Sequence, residues 1–308
     1  MSERDLMFCA DCSRQVGEQL FHTAPRADYW LLIEYDASWG AKALAESALP
    51  KQIKARLQAW QDRTPNAKVL FIKRASSRRD SARVYLAHTR EVDPVLYRFD
   101  LEAHADLLTL DLDGITAGDS RFDAHRTDEK VCLVCTNGRR DAACSRYGTP
   151  FYHALRGVLG EAVWQSTHVG GHRFAANLCV LPSGVCYGYL DADNAHDVAE
   201  AILNREVLVN KTRGRSCYSA PVQAADYYLR GATGVTAIQG IRLVNENQTG
   251  DQQWTVRLET PQDGRLYDVH VRAALSDWTV FESTGDTEPK HILQYHYVSH
   301  EEITPGGK

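Results

Sequence analysis

The sequence has no apolar run near the roughly 20 residues that a helix needs to cross a bilayer. Its densest stretches are as short as Tyr29-Trp30-Leu31-Leu32-Ile33. No apolar segment stands behind Met1-Ser2-Glu3-Arg4-Asp5, so no secretory leader and no membrane association are expected, and the cytoplasm is the default compartment. A basic excess is absent too: lysine and arginine number 35 against 40 acidic residues, a formal charge of −5. That balance argues against a nucleic-acid binder, whose footprint is positive. No P-loop, no G-x-G-x-x-G and no G-x-S-x-G occurs, so nucleotide-dependent and serine-nucleophile mechanisms have no motif behind them. There is no tandem repeat of solenoid length and no low-complexity tract.

What is present is ordinary globular material, with 44% hydrophobic and 24% charged residues in a chain of 308. At roughly 150 residues per domain this length accommodates about two domains. Eight cysteines in a reducing compartment should stay reduced, either as buried small apolar residues or as ligands, and their spacing must decide.

Tyr29–Tyr35 reads as a buried strand, and Ala41–Trp60 as a helix interrupted at Pro50. Further strands are expected at 68–73, 83–88 and 95–99. The sequence turns polar over 117–130, which places a boundary there. A strand over 131–135 then opens a second unit. Thr149-Pro150 marks a helix start, 162–166 is a strand, and 179–190 is a hairpin turning at Pro182-Ser183-Gly184. Asp193 caps the next helix. Both units read as β-α-β-β, with helices packed on a sheet. Residues 218–231 are expected to be helical. Beyond them a hairpin about Gln262-Asp263-Gly264 and a polar tail to Lys308 make a small β appendage.

The chemistry concentrates between Cys135 and His172. Cys135 and Cys144 are separated by eight residues, and His168-Val169-Gly170-Gly171-His172 follows. Two thiolates and two imidazoles are what a four-ligand metal centre needs. The Cys-to-Cys segment reads as a polar loop after a strand, so both sulfurs can turn toward one point. The histidine pair has no glutamate between its members, so the general base of an H-E-x-x-H peptidase is missing. Its two glycines cost a helix about 2 kcal/mol. They permit instead a tight turn with positive φ and leave room beside the backbone. On residue types alone a Cys2His2 zinc site fits as well.

The strings CTNGRRDAACSRYGTPFYHALRG and VWQSTHVGGHRFAANLCVLPSGVCYGYL closely resemble the sucrase/ferredoxin-like family of thioredoxin-like [2Fe-2S] proteins, whose pattern is C-x8-C followed at a distance by H-x-G-G-H. The resemblance is best over 131–230, including Arg213-Gly214-Arg215-Ser216 and Gln223, and extends to Thr23-Ala24-Pro25 with 30–40. It implies an α/β protein of two thioredoxin-like units, 1–126 and 127–231, each a mixed sheet flanked by helices, with 232–308 as the β extension. It also implies a [2Fe-2S] cluster in the second unit, held by Cys135, Cys144, His168 and His172. With two ferric ions near +6, sulfides −4 and thiolates −2, such a cluster is formally about neutral. Its potential should then lie above that of an all-cysteine cluster. A proton on the outer nitrogen of a ligand imidazole should also make it depend on pH.

Arg139, Arg140, Arg146, Arg156 and Arg173 lie in or next to this segment, against Asp141 and Glu161. Positive charge here would stabilise the reduced cluster and attract an acidic redox partner; Arg139, Arg140 and Arg173 are the candidates to sit around the ligands. The expected function is one-electron transfer, as a carrier or redox sensor rather than a catalyst. Two alternatives remain: a structural or regulatory zinc protein, and a thiol oxidoreductase using Cys9-x-x-Cys12. That dithiol sits before the first strand rather than at a strand-to-helix turn. Cys132 should point to the face opposite Cys135, because their offset along a strand is odd. Cys179 and Cys186 should be cross-strand thiols, Cys217 a non-ligand, and His291, His296 and His300 exposed. Glycoside hydrolysis would need two carboxylates flanking a cleft, and the sequence singles out no such pair.

Overall fold

The computed structural model describes residues 8–74 and 82–303. The leader reading at Met1–Asp5 and the end of the polar tail lie outside the described residues. In chain order come α1 (Cys9–Gln15), β1 (Tyr29–Glu34), the short α2 (Ala43–Glu46), α3 (Lys51–Arg63), β2 (Ala67–Lys73), β3 (Ala82–His88), β4 (Val95–Leu101) and α4 (Leu112–Ala117). They are followed by β5 (Val131–Cys135), α5 (Ala142–Leu159), β6 (Val163–Ser166), β7 (Leu178–Leu181), β8 (Val185–Tyr187), α6 (Ala195–Asn204), β9 (Thr212–Arg215) and α7 (Ala220–Thr233). The chain closes with β10 (Arg242–Gly250), β11 (Gln253–Thr260), β12 (Arg265–Val280) and β13 (Lys290–Ile303).

Nine strands form one mixed sheet in the order β4-β3-β1-β2-β6-β5-β7-β8-β9. Within it β1 and β2 run parallel, as do β5 and β6, and β3 and β7 run antiparallel to β1 and β5. Each half thus has a parallel pair with a helical crossover, flanked by an antiparallel hairpin. The halves join where β2 meets β6 through Ile72–Ser166 and Lys73–Gln165. An apolar layer that includes Trp30, Leu32, Ile72, Leu133, Trp164 and Cys179 spans both halves.

β5 is buried throughout. Its Leu133 and Cys135 face that shared layer, while Cys132 and Val134 pack with Phe151, Tyr152 and Leu155 of α5. The odd offset therefore separates Cys132 from Cys135 as expected. Cys179 and Cys186 are directly paired across β7 and β8 as free thiols.

Three local expectations need correction. α5 begins at Ala142, capped by Asp141, and Pro150 lies inside it. A proline in a helix interior costs about 3 kcal/mol. Burying Phe151 and Leu155 completely returns about 1.5–3 kcal/mol each, so packing overrides the local stop signal. Asp191, not Asp193, is the capping residue ahead of α6; its side chain accepts from the Asn194 N–H. The Cys-to-Cys segment is not all loop, because Cys144 already lies in the first turn of α5.

The C-terminal part is a four-stranded antiparallel sheet, β10-β11-β12-β13. Its strands reach 16 residues in β12 and 14 in β13. Val256, Leu258, Val269 and Val271 of this sheet pack on Val222, Ala225 and Leu229 of α7. Much of β13 is polar on both faces, so its pattern lacks the alternation that marks a half-buried strand.

Candidate metal centre

The site lies at the carboxyl ends of β5 and β6, where Cys135 pairs in register with Ser166. Ends of parallel strands leave a crevice because the chain there turns away into its crossovers. Cys135 is the last residue of β5. The chain turns through 136–140 to Asp141, whose carboxylate accepts from the Ala143 N–H at 2.9 Å. One turn on, the Cys144 N–H bonds the Asp141 carbonyl at 3.0 Å. Gly148 lets α5 come down on the end of β5: a Cβ there would stand 2.1 Å from the Cys135 carbonyl oxygen. His168 follows β6 after Thr167, whose N–H bonds the Phe71 carbonyl at 2.9 Å.

These placements bring three of the four expected ligands together. His168 Nδ1 lies 3.9 Å from Cys135 Sγ and 3.7 Å from Cys144 Sγ, and the three donor atoms are all within 4.8 Å of one another. Both cysteines are buried and the histidine is half-buried. The Cys144 thiol hydrogen-bonds Cys135 and, with His168, holds the Cys135 thiol well below its ordinary range against the effect of burial. Cys144 is raised correspondingly. A cation seated among these three donors would take the place of a thiol proton.

His172 stands next to this triangle. Gly170 and Gly171 have φ of +113° and +73°, so the backbone folds back and the two imidazoles face each other, centroids 5.0 Å apart. Positive φ is what the glycine pair was expected to supply. In this rotamer His172 Nε2 lies 3.9 Å from an Asp141 carboxylate oxygen, and Cys9, Asp141 and His172 make a second compact donor group. His172 Nδ1 is buried with no hydrogen-bond partner among the described residues. Burial pushes the His172 pKa down, and Asp141 opposes that shift.

Asp141, Cys9 and Thr284 are neighbours that sequence reasoning missed. Asp141 accepts from the Thr284 N–H at 2.8 Å, the Thr284 hydroxyl at 2.7 Å and the Ser283 hydroxyl at 2.9 Å. Burial alone would raise its pKa, but the bonds from Thr284 hold it below the usual carboxylate range. An aspartate just before a helix was a readable cap signal; its contact with residues 142 and 143 positions away was not readable.

The three arginines separate. Arg139 and Arg140 are exposed on the loop between β5 and α5, and the charge of Arg140 helps keep His172 neutral. Arg173 is neutralised instead, bonding Glu18 at 2.7 Å and lying 3.8 Å from Glu282. His291 and His300 are exposed on β13, and His296 is half-buried. Cys217 lies apart from both donor groups.

The family model described as sucrase/ferredoxin-like matches residues 20–214 of this chain. A stretch of 99 residues is 30% identical to "Altered inheritance of mitochondria protein 32" of Meyerozyma guilliermondii, covering 29% of this chain and 35% of that protein. The chain thus spans about a third of the length of that curated relative. No solved structure matches it.

Proposed function

The chain belongs to the sucrase/ferredoxin-like family, and from that premise we propose that it is a one-electron carrier or redox sensor whose Cys135, Cys144, His168 and His172 hold a [2Fe-2S] cluster. The observation that supports this most is the convergence of Cys135, Cys144 and His168 at the carboxyl ends of a parallel strand pair, with the His172 ring 5.0 Å from that of His168. The donor chemistry fits. A metal can displace the protons of two thiols, one at the end of β5 and one in the first turn of α5, two imidazoles supply neutral nitrogens, and His172 Nδ1 is a buried polar atom lacking a partner among the described residues. Such a cluster, when bound, accepts and returns one electron.

The chain's own residues supply the rest of the function. Burial of both cysteines keeps water from the sulfurs. The two imidazoles, only half-buried, offer a short route for an electron to the surface. Exposed Arg139, Arg140 and Arg146 put positive charge where an acidic protein partner would dock. The matching strand orders of the two halves support two thioredoxin-like units. We place the protein in the cytoplasm, acting with a protein redox partner and neither nucleic acid nor membrane.

One observation favours a Cys2His2 zinc site instead: the three donor atoms are close enough for a single ion. The thiol-oxidoreductase reading finds little support. Cys9 is fully buried, burial raises its pKa to about 12, and burial raises that of Cys12 as well, whereas a reactive dithiol needs an accessible thiolate. Chain purified without oxygen should be red-brown, bleach on reduction, and contain iron and acid-labile sulfide in equal amounts. Colourless protein carrying one equivalent of zinc would overturn the cluster reading in favour of the zinc site.

A further inference from the structure

Several short segments stood out in the sequence without acquiring a role: Thr23-Ala24-Pro25, Arg213-Gly214-Arg215-Ser216 and Gln223. All of them meet behind the Gly170-Gly171 turn. Arg213 projects from β9 and is 2% exposed. Its Nη1 donates to the Gly170 carbonyl at 2.9 Å and to Asn177 Oδ1 at 2.7 Å. Its Nε donates to Thr23 Oγ1 at 3.0 Å, and its Nη2 to the Thr23 carbonyl. The guanidinium also packs closely against the turn, since a Cβ on Gly171 would lie 2.3 Å from Nη2.

Asn177 completes the arrangement. Its Nδ2 donates to the Gly171 carbonyl at 2.9 Å, and its own carbonyl accepts from the Cys135 N–H at 3.1 Å. One residue therefore ties the end of β5, which carries Cys135, to the turn between the two histidines. The Thr23 and Ala24 N–H groups bond the Arg213 carbonyl at 3.1 Å each, and Gln223 exchanges two hydrogen bonds with the Ala24 backbone, both 3.1 Å. Thr23, which receives Arg213, is thus itself fixed.

Resting on the cluster reading above, we infer that Arg213 and Asn177 are positioning residues that clamp the Gly170-Gly171 turn, fix the spacing of His168 and His172 relative to Cys135, and place a permanent positive charge behind the centre.

Two physical arguments support this. A turn of two glycines has few constraints of its own, yet ligands must be held to within about 0.5 Å. Both carbonyls of the turn are bound from one side, by groups anchored on β9 and at the start of β7. Second, Arg213 has four neutral acceptors and no carboxylate partner among the described residues. A buried guanidinium without an anion is costly. A centre that gains negative charge on reduction would offset that cost, and the guanidinium would favour the electron.

The test uses the full chain with Arg213→Lys, Arg213→Gln and Asn177→Asp. Asn177→Asp keeps an acceptor for Arg213, turns the donor to Gly171 into an acceptor and adds a negative charge beside the guanidinium, so it perturbs the turn with the Arg213 contact still in place. Wild-type iron, sulfide and the paramagnetic spectrum of the reduced state establish the centre first. Both Arg213 variants should then shift the g-values, because both lose the fork. The midpoint potential should fall clearly in Arg213→Gln and much less in Arg213→Lys, which keeps the charge. Asn177→Asp should shift the g-values and lower the potential. Folded variants with wild-type g-values and potentials would overturn the clamp while leaving the cluster reading intact. Should wild type hold no iron, the cluster reading fails alone. Backbone relaxation at Gly170 and Gly171 would then still judge the clamp, with faster motion expected in Arg213→Gln and unchanged motion contradicting it.

Discussion

At the scale of single residues, burial and hydrogen bonding set the protonation states. His22 is 9% exposed, with positive φ, and its Nε2 has no partner among the described residues. Burial, the largest effect, brings its pKa from 6.5 to about 3, with Arg173 and Arg213 adding to the shift. The unfolded chain takes up a proton near pH 6.5, whereas the fold resists it until about pH 3. Between those values the unfolded state binds more protons, so stability falls as pH falls. His22→Asn tolerates the backbone conformation and has nothing to titrate. Denaturant unfolding across that window should show a shallower acid decline in the variant, though not a flat one, because burial also lowers His88, to about 4. Equal slopes in variant and wild type would contradict the buried, neutral assignment.

Single residues were also where the sequence was most readable. Cys135, Cys144 and His168 were identified by type and spacing, and the structure places them in one triangle. Asp141, Thr284 and Asn177 were not identified. Their importance depends on side chains meeting across the fold, and no periodicity records such contacts.

At the scale of elements, α5 decides whether the two sulfurs meet. Its approach to β5 depends on Gly148, where an added Cβ would collide with the Cys135 carbonyl oxygen, a backbone atom that cannot swing aside. Gly148→Ala should therefore push α5 off the strand, cost about 1–3 kcal/mol in urea unfolding and reduce bound iron. Unchanged iron content and stability would mean that the helix is not held where the structure puts it. Strong local pattern made β1, β5 and the β7–β8 hairpin legible, since continuous apolar runs and a Pro-Ser-Gly turn leave few alternatives. The start of α5 was misread because Thr149-Pro150 imitates a helix opening. Nothing local in the sequence says that Phe151 and Leu155 are packed well enough to carry a helix through a proline. The length of β12 and β13 was hidden for the opposite reason, too little apolar alternation.

At the scale of the whole molecule, two features bear on function. The family match ends at residue 214, yet Ser283 and Thr284 beyond it reach back to Asp141, and Cys9 before it lies 3.8 Å from the same carboxylate. The N-terminal helix and the connection between β12 and β13 thus complete the surroundings of His172. The second feature is the field. In a chain of net charge −5, Arg139 and Arg140 are exposed close to the candidate ligands. The anion dithionite should therefore reduce the centre faster at low salt than at high salt, because screening acts over about 10 Å at 0.1 M. The double variant Arg139→Glu/Arg140→Glu should slow this reduction several-fold at low salt and match wild type at high salt. Identical stopped-flow rates at low ionic strength would remove these arginines from the docking surface.

Nitrogen couplings in the pulsed paramagnetic resonance spectrum of the dithionite-reduced protein test the central claim most directly. Two coupled imidazole nitrogens are expected in wild type, with one lost in each of His168→Ala and His172→Ala wherever the variant retains a paramagnetic centre. A reduced iron-sulfur signal without imidazole nitrogen coupling would contradict the assignment of these histidines.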